Sequence, residues 1–219
     1  MEDKKRDFDK EAAQWDENPS RVKLASDVFA SMQRQVDLSS SMRVMDFGCG
    51  TGLLTLQLAP LVGSVTGVDS SQGMLDILKA KVIKNGLNNV TASFIDLDRD
   101  DMLTGDYDLI VSTMTLHHIK TIGLLLKQFN NCLIPGGNVC IADLDPDEGM
   151  FHGDNQGVFH YGFERPQIRE ALIEAGFGNI HDSTAAEVEK PVLNGGMRRF
   201  TVFLITGQKL NPAKPETGY

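Results

Sequence analysis

Glycines and carboxylates follow the first apolar run of the sequence in a pattern that suits a ligand site. The predicted strand Arg43–Phe47 runs directly into a turn that carries three glycines. Glycines in such a turn accept positive φ and let a ligand approach the backbone closely. In an open α/β sheet, ligands bind beyond the carboxyl ends of the strands. The residues of the turn that we expect to contact a ligand are Gly48, Cys49, Gly50, Thr51 and Gly52.

The spacing of these glycines and the charge beside them narrow the class of ligand. A dinucleotide fingerprint reads G-x-G-x-x-G, whereas the third glycine comes one residue early here. The sequence also has no Gly-Lys-Ser/Thr phosphate loop. Asp46 precedes the turn, and its carboxylate would repel a pyrophosphate but attract a ligand that carries an ammonium and a sulfonium. The charge therefore favours S-adenosylmethionine over NAD.

Two further aspartates end the next predicted strands. Asp69 follows Ser64–Val68 and could accept both hydroxyls of a ribose, as a carboxylate at this position does in nicotinamide enzymes. Asp96 follows Val90–Ile95 and could accept the exocyclic amine of an adenine. Aspartates are also common in turns and as helix N-caps, but three successive strands that end in Asp favour an adenosine ligand.

Histidines supply the candidates for acid–base chemistry. One group, His117-His118, follows the fourth predicted strand, and another lies in the long irregular segment 145–163, which is typical of a functional loop. Histidine titrates near neutral pH and can take a proton from a substrate. An ordinary packed histidine is the alternative for each, and we favour it for His118 and His181. No tight ligand spacing predicts a metal site. The catalytic candidates are His117, His152 and His160.

The elements that must position these residues alternate between two periodicities. Short β-type runs are separated by stretches with apolar residues at helical spacing, which predicts a mostly parallel sheet covered on both faces by helices. Two strands without a helix between them follow a helix near 166–175, and they predict an antiparallel pair at one edge. Two helices precede the sheet, at about Lys5–Asp16 and from Pro19. The remaining predicted strands are Tyr107–Thr113, Asn138–Asp143, Asn179–Ala185 and Arg198–Thr206.

Taken together, these segments resemble the class I S-adenosylmethionine-dependent methyltransferases. Within that class the chain is similar to the small-molecule group that includes the ubiquinone/menaquinone-biosynthesis-type enzymes. The resemblance implies a doubly wound, Rossmann-like sheet of seven strands with the last strand antiparallel. It also implies S-adenosylmethionine as cofactor and S-adenosylhomocysteine as product. The segments that carry the resemblance are Asp46–Gly52, Val68–Ser71 with Met74, Asp96-Leu97, Tyr107–Ser112 and Leu133–Gly137.

The resemblance assigns cofactor contacts residue by residue. Asp46 and the glycine turn would hold the methionine portion, Asp69 the ribose, and Met74 one face of the adenine. The residues after the fourth strand would line the wall beside the sulfonium, and an N-terminal segment would cover the cofactor. Besides the glycine turn, the implied contacts are Asp46, Asp69, Ser70, Met74, Asp96, Leu97, Thr113, Met114, His117, Trp15 and Arg21.

Charge and composition restrict the partners. The chain of 219 residues has 30 acidic and 21 basic residues, a net charge of −9, and no basic cluster that would bind a polyanion. No apolar run approaches the roughly 20 residues needed to cross a membrane. The charged N-terminus lacks the apolar stretch of a signal peptide, and the three dispersed cysteines suit a reducing compartment. We therefore expect a cytoplasmic protein with a small-molecule substrate, without nucleic-acid or membrane partners; the oligomeric state stays open.

The sequence predicts three segments. Residues 1–40 form N-terminal helices that either cover the cofactor as a lid or pack on the core through Trp15. Residues 41–207 form the cofactor-binding domain, and residues 208–219 form a disordered tail. The predicted function is methyl transfer from S-adenosylmethionine to a small molecule by in-line displacement. Two alternatives remain, a nicotinamide-dependent oxidoreductase and a non-catalytic module that binds S-adenosylmethionine.

Overall fold

One mixed sheet of seven strands forms the centre of the computed structural model, which describes residues 6–192 and 195–211. The strands are β1 (Arg43–Phe47), β2 (Ser64–Asp69), β3 (Val90–Phe94), β4 (Tyr107–Thr113), β5 (Leu133–Leu144), β6 (Phe177–Pro191) and β7 (Met197–Lys209). Their order in the sheet is β3-β2-β1-β4-β5-β7-β6. The first five are parallel, and β7 runs antiparallel between β5 and β6.

Helices precede the sheet and connect its parallel strands. Those of the described residues are α1 (Phe8–Glu11), α2 (Pro19–Gln33), α3 (Thr55–Leu58), α4 (Gln72–Lys84), α5 (Ile122–Cys132) and α6 (Arg165–Glu174). Short 3₁₀ turns cover Ala12–Glu17, Leu97–Arg99 and Leu116–His118. Within the described ranges, no helix is both long and apolar enough to span a membrane.

Two apolar layers hold these helices against the sheet. Val44 of β1 packs in the layer that includes Met32 of α2 and Leu58 of α3, whereas Met45 packs in the opposite layer with Phe129 of α5. Successive strand residues point to opposite faces, so a strand covered on both sides must be apolar at nearly every position. The carboxyl ends of the parallel strands are thereby fixed along one edge, where the polar residues lie.

The predicted fold class is confirmed, including the antiparallel last strand. Some boundaries differ from the predictions. Strand β5 begins at Leu133 rather than Asn138 because Tyr107 of β4 pairs with Leu133 across an irregularity in the register. Gln208 and Lys209 belong to β7, where they pair with Gly178 and Phe177, so the predicted disordered tail begins with ordered strand residues. Residues 212–219 of that tail, and the predicted helix start at Lys5, lie outside the described residues.

Candidate active site

The glycine turn after β1 has the backbone conformation that the sequence predicts. Gly48, Gly50 and Gly52 have φ of 73°, 52° and 86°, which side chains other than glycine rarely adopt. A Cβ on Gly48 would lie 2.1 Å from Oγ1 of Thr115. At Gly50 a Cβ would meet no heavy atom closer than 3.9 Å, so this is the glycine whose bare backbone is open to a ligand. Gly52 instead packs against Leu78, 2.4 Å from where its Cβ would be.

Asp46 is a buried carboxylate at the end of β1. It is 2 % exposed, and the hydroxyl of Thr55 donates to its Oδ2 at 2.6 Å. Burial raises the pKa of Asp46 to about 7; the Thr55 hydrogen bond opposes this rise, and the nearby charge of Asp69 adds to it. A cation placed beside Asp46 would therefore relieve an unfavourable desolvation.

Asp69 fastens the glycine turn to the end of β2. Its Oδ2 accepts from the backbone N–H of Gly50 at 2.8 Å, and its Oδ1 accepts from that of Ser71 at 2.9 Å. Burial raises the pKa of Asp69 although these backbone hydrogen bonds act to lower it. An ionised carboxylate has about four acceptor positions, so Asp69 can still accept hydrogen bonds from a ribose.

A single cavity of about 780 Å³ collects most of the predicted site. A volume of this size accommodates a small ligand and is within the range typical of cofactor pockets. Gly52 and His160 are not among the residues that line it. The predicted site residues that do line it are Trp15, Arg21, Asp46, Gly48, Cys49, Gly50, Thr51, Asp69, Ser70, Met74, Asp96, Leu97, Thr113, Met114, His117 and His152.

The predicted adenine end of the cavity lies beyond β3. Strand β3 ends at Phe94, and Asp96 follows it as the N-cap of the turn Leu97–Arg99. The Asp96 side chain accepts from the backbone N–H of Asp98 at 3.1 Å and lies 3.5 Å from Nε of Arg99. Asp96 is thus held in one orientation at the cavity wall, where it could accept an adenine amine.

The residues after β4 form the opposite wall. Met114 adopts a φ of 55°, and its N–H donates to the carbonyl of Ala142 in β5 at 2.8 Å. A non-glycine residue in this conformation is strained, and such strain is often found at functional sites. The turn that follows carries His117, which is buried at 1 % exposure.

Three histidines meet at this wall. Nδ1 of His117 lies 2.7 Å from Oδ1 of Asp143, and Nδ1 of His118 lies 2.7 Å from the carbonyl of Gly157. The ring of His152 lies 5.0 Å from that of His117, centroid to centroid. Because the carboxylate and the carbonyl accept hydrogen bonds, the Nδ1 atoms of His117 and His118 each carry a proton, which leaves Nε2 as the atom that can act as a base or ligand.

The rings of His118 and His152 are neutral at physiological pH because their pKa values are lowered. Burial, followed by the neighbouring His117, lowers the pKa of His118 to about 4. The same causes, with His118 and the cation Arg6, lower that of His152 to about 3. Burial acts to raise the pKa of Asp143, but the charge and hydrogen bonds of His117 outweigh it and lower the pKa. Asp143 is therefore an ionised acceptor behind a histidine.

His160 lies apart from this group. Its Nε2 is 2.9 Å from the carbonyl of Ile119, and its ring packs 5.0 Å from that of Phe163.

The sequence favoured a packing role for His118 and indicated no role for Asp143, although the structure brings both into the cluster. Asp143 lies at the carboxyl end of a predicted strand, within one residue of it as Asp46 and Asp69 are of theirs, and that shared position is the signal that could have identified it.

The N-terminal segment lines part of the cavity. Asp9 accepts from the Ser71 hydroxyl at 2.5 Å and from the Gly73 N–H at 2.8 Å. Asp16 accepts from the Thr51 hydroxyl at 2.6 Å and forms an ion pair with Lys81. The segment thus contacts both the glycine turn and the start of α4. These contacts suit the predicted lid.

If the segment opens as a lid, Asp16→Asn will speed cofactor release. The substitution removes the charge that holds Thr51 and Lys81. A partly exposed ion pair contributes up to about 1 kcal/mol, so we expect S-adenosylmethionine to dissociate about threefold to fivefold faster. Stopped-flow displacement measures this rate. The matched control is Asp27→Asn, which breaks a surface ion pair of α2 with Lys23; equal rates in the two variants would contradict the lid.

Comparison with known proteins identifies the domain. Residues 44–137 match the family described as Methyltransferase domain. The chain carries a methyltransferase domain. The matched segment contains the glycine turn, Asp69 and Asp96, and it ends at the start of β5. The recognition made from the sequence, that of the S-adenosylmethionine-dependent methyltransferases, is confirmed.

Relatives and solved structures agree with this family. The chain is 32 % identical over 161 residues to an uncharacterised methyltransferase of Schizosaccharomyces pombe, covering 67 % of this chain and 57 % of that protein. It is 25 % identical over 149 residues to a ubiquinone biosynthesis O-methyltransferase of Marinobacter nauticus, covering 66 % and 63 %. The chain thus spans less than two thirds of the length of either relative. Its fold is that of phosphoethanolamine N-methyltransferase 2 of Haemonchus contortus in complex with S-adenosyl-L-methionine, with a TM-score of 0.67 at 20 % identity over 84 % of this chain and 52 % of that one.

Proposed function

We propose that this protein transfers a methyl group from S-adenosylmethionine to a small-molecule acceptor. The observation that carries the proposal is the different chemistry of the two ends of one cavity. Asp46 and Asp69 line the end formed by the glycine turn, whereas three histidines, Lys190 and the Arg6–Glu11 ion pair line the other. The acidic end suits the ammonium and sulfonium of the cofactor, and the other end suits an acceptor.

The chemistry needs little from the protein beyond alignment and a dry site. A lone pair of the acceptor forms a bond to the methyl carbon while the carbon–sulfur bond breaks, and its electrons pass to sulfur. S-adenosylhomocysteine leaves, and the acceptor loses its proton. Because the cofactor already carries the activated group, the gain comes from holding the reacting atoms in line.

The acceptor end of the cavity favours a small molecule that carries negative charge. Nζ of Lys190 lies 4.0 Å from the centre of the Phe151 ring and donates to the Phe151 carbonyl at 2.6 Å. Burial, then Arg21 and Arg6, lowers the pKa of Lys190, as expected where positive groups are gathered. Residues of the N-terminal segment line the cavity, and the net charge of −9 opposes a nucleic acid. The Marinobacter and Haemonchus proteins are both named for small-molecule methylation.

The two alternative functions fit the cavity less well. A nicotinamide cofactor would place its pyrophosphate against Asp46, which is buried and negatively charged when ionised. A non-catalytic module would bind the cofactor without needing an acceptor pocket. The cavity continues past the predicted sulfonium position to His118 and His152, and this supports an enzyme.

Ligand binding and methyl transfer test the proposal together. We expect calorimetry to show saturable binding of S-adenosylmethionine and S-adenosylhomocysteine and none of NAD. In a labelled-methyl assay, label should pass to an acidic member of a metabolite panel and not to DNA, RNA or a basic peptide. Tight NAD binding without a response to S-adenosylmethionine would contradict the cofactor. Saturable labelling of a polymer that is lost in Asp46→Ala would contradict the substrate class.

A further inference from the structure

We propose that His117, His118 and His152 form a binding site for one divalent transition-metal ion of the Zn²⁺ type. One ring nitrogen of each histidine lies within 4.8 Å of the other two. Three histidines with an open fourth position are a known catalytic arrangement for zinc, with Zn–N distances of about 2.0–2.1 Å. Binding would draw the three nitrogens to about 3.3 Å from one another, the separation that a tetrahedral site of that radius requires.

The hydrogen bonds behind the rings orient two of them as ligands. A metal-bound histidine generally donates its other ring N–H to a carboxylate or a backbone carbonyl, which fixes the tautomer. His117 has the Asp143 carboxylate at 2.7 Å and His118 has the Gly157 carbonyl at 2.7 Å. Both contacts involve Nδ1, so both rings can offer Nε2.

Unpartnered nitrogens give a second, independent observation. Among the described residues, Nε2 of His117 and Nε2 of His152 are buried and have no hydrogen-bond partner. Leaving a buried polar atom unpaired is unfavourable, so two such atoms in one cluster indicate a missing ligand. The side chain of His117 is 1 % exposed and lines the cavity.

The charges around the cluster are mixed. Arg6 lies 3.5 Å from Nδ1 of His152 and opposes a cation there. However, Arg6 is paired with both carboxylate oxygens of Glu11, at 2.6 and 2.7 Å, and Asp143 contributes a negative charge behind His117. Lys190 also lines this end of the cavity, and its positive charge opposes a cation as well. Coordination by Nε2 of His152 would place a proton on Nδ1, so the Arg6 contact must lengthen when the metal binds.

The position of the site suggests its role, and this part rests on the proposed function. A metal there would coordinate an acceptor hydroxyl and lower its pKa, as zinc does for bound water. The proton leaves to solvent, the oxygen attacks the methyl carbon, and the sulfur keeps the electron pair of the broken bond. The rings of His117 and His152 would then be ligands rather than separate general bases.

Metal binding can be measured without any methyl transfer. The full chain is treated with a chelator and titrated with Zn²⁺ by calorimetry and with Co²⁺ by visible absorption. We expect one saturable site with the absorption of tetrahedral Co²⁺, an affinity at least about tenfold lower in His117→Ala and His152→Ala, and about 10–100-fold lower in Asp143→Asn. The matched control is His181→Ala, because the His181 side chain is exposed on β6. This variant should bind the metal with the affinity of the wild type.

Two results would overturn the site. They are the absence of saturable Zn²⁺ or Co²⁺ binding, and binding that is equal in the wild type and His152→Ala. His152 is only partly buried, so this variant keeps the test decisive if His117→Ala does not fold. Binding of S-adenosylhomocysteine, measured in the same samples, reports separately on the proposed function. Labelled-methyl transfer to hydroxyl acceptors should also be lost with chelator and restored by Zn²⁺; transfer that persists would contradict the role.

Discussion

Asp69→Ala is expected to weaken the binding of S-adenosylmethionine about a hundredfold. The carboxylate accepts from Gly50 and Ser71 at 2.8 and 2.9 Å, and we propose that it also accepts from the ribose. Hydrogen bonds to a charged group contribute about 1.5–3 kcal/mol each. The substitution removes the ribose contacts and releases the glycine turn that must fit the cofactor. Isothermal calorimetry measures the change in Kd.

Controls separate this effect from a loss of folding. Asp76→Ala changes the same residue type on the exposed side of α4, where Asp76 accepts from the Gln72 side chain and forms an ion pair with Lys79. Its Kd should match that of the wild type. Circular dichroism and the melting temperature report on folding. Asp69→Asn retains the shape of the side chain and should have an intermediate Kd. Wild-type affinity for S-adenosylmethionine in folded Asp69→Ala and Asp69→Asn would show that Asp69 does not contact the cofactor.

Cofactor affinity should rise with pH between 5 and 7.5. Burial raises the pKa of Asp46 to about 7 in the free protein, so the carboxyl is mostly protonated at pH 5 and mostly ionised at pH 7.5. The cationic cofactor favours the ionised form and lowers the pKa in the complex. Binding below pH 7 must therefore expel a proton, and Kd should increase about tenfold for each unit of pH lost, about a hundredfold at pH 5.

The variant Asp46→Asn tests the assignment of this pH dependence. Asparagine retains an oxygen that can accept from the Thr55 hydroxyl, which lies 2.6 Å from Oδ2 of Asp46, but it does not titrate. We expect weaker binding at pH 7.5 and a nearly flat profile. A wild-type slope in Asp46→Asn would show that another group titrates, and a flat wild-type profile would show that Asp46 does not face the cofactor's charge.

Much of the fold could be predicted because its signals are local. Apolar residues at period two and at helical spacing fix strands and helices within one segment of chain. The parallel core and the antiparallel pair β6–β7 follow from which elements have a helix between them. The boundaries were less predictable. The start of β5 at Leu133 depends on pairing with Tyr107, and that pairing is invisible in either segment alone.

The cofactor end of the site is also a local feature of the sequence. Asp46 lies one residue before the end of β1 and Asp69 ends β2, and carboxyl ends of adjacent parallel strands meet at one edge of the sheet. Their position in the chain therefore determines their position in space. The lining of one cavity by both residues agrees with this; their contacts with the cofactor stay predictions.

The histidine cluster was decided only by the tertiary structure. His117 and His118 belong to the turn after β4, whereas His152 belongs to the irregular segment after β5, whose path has no periodicity to predict it. The sequence suggested His160 equally well, yet the chain places its Nε2 against the Ile119 carbonyl. His152 joins the cluster because that segment folds over the end of the sheet. There the Gly157 carbonyl contacts Nδ1 of His118, and Nζ of Lys190 in β6 donates to the Phe151 carbonyl. Such contacts join residues far apart in the chain and depend on packing rather than on spacing.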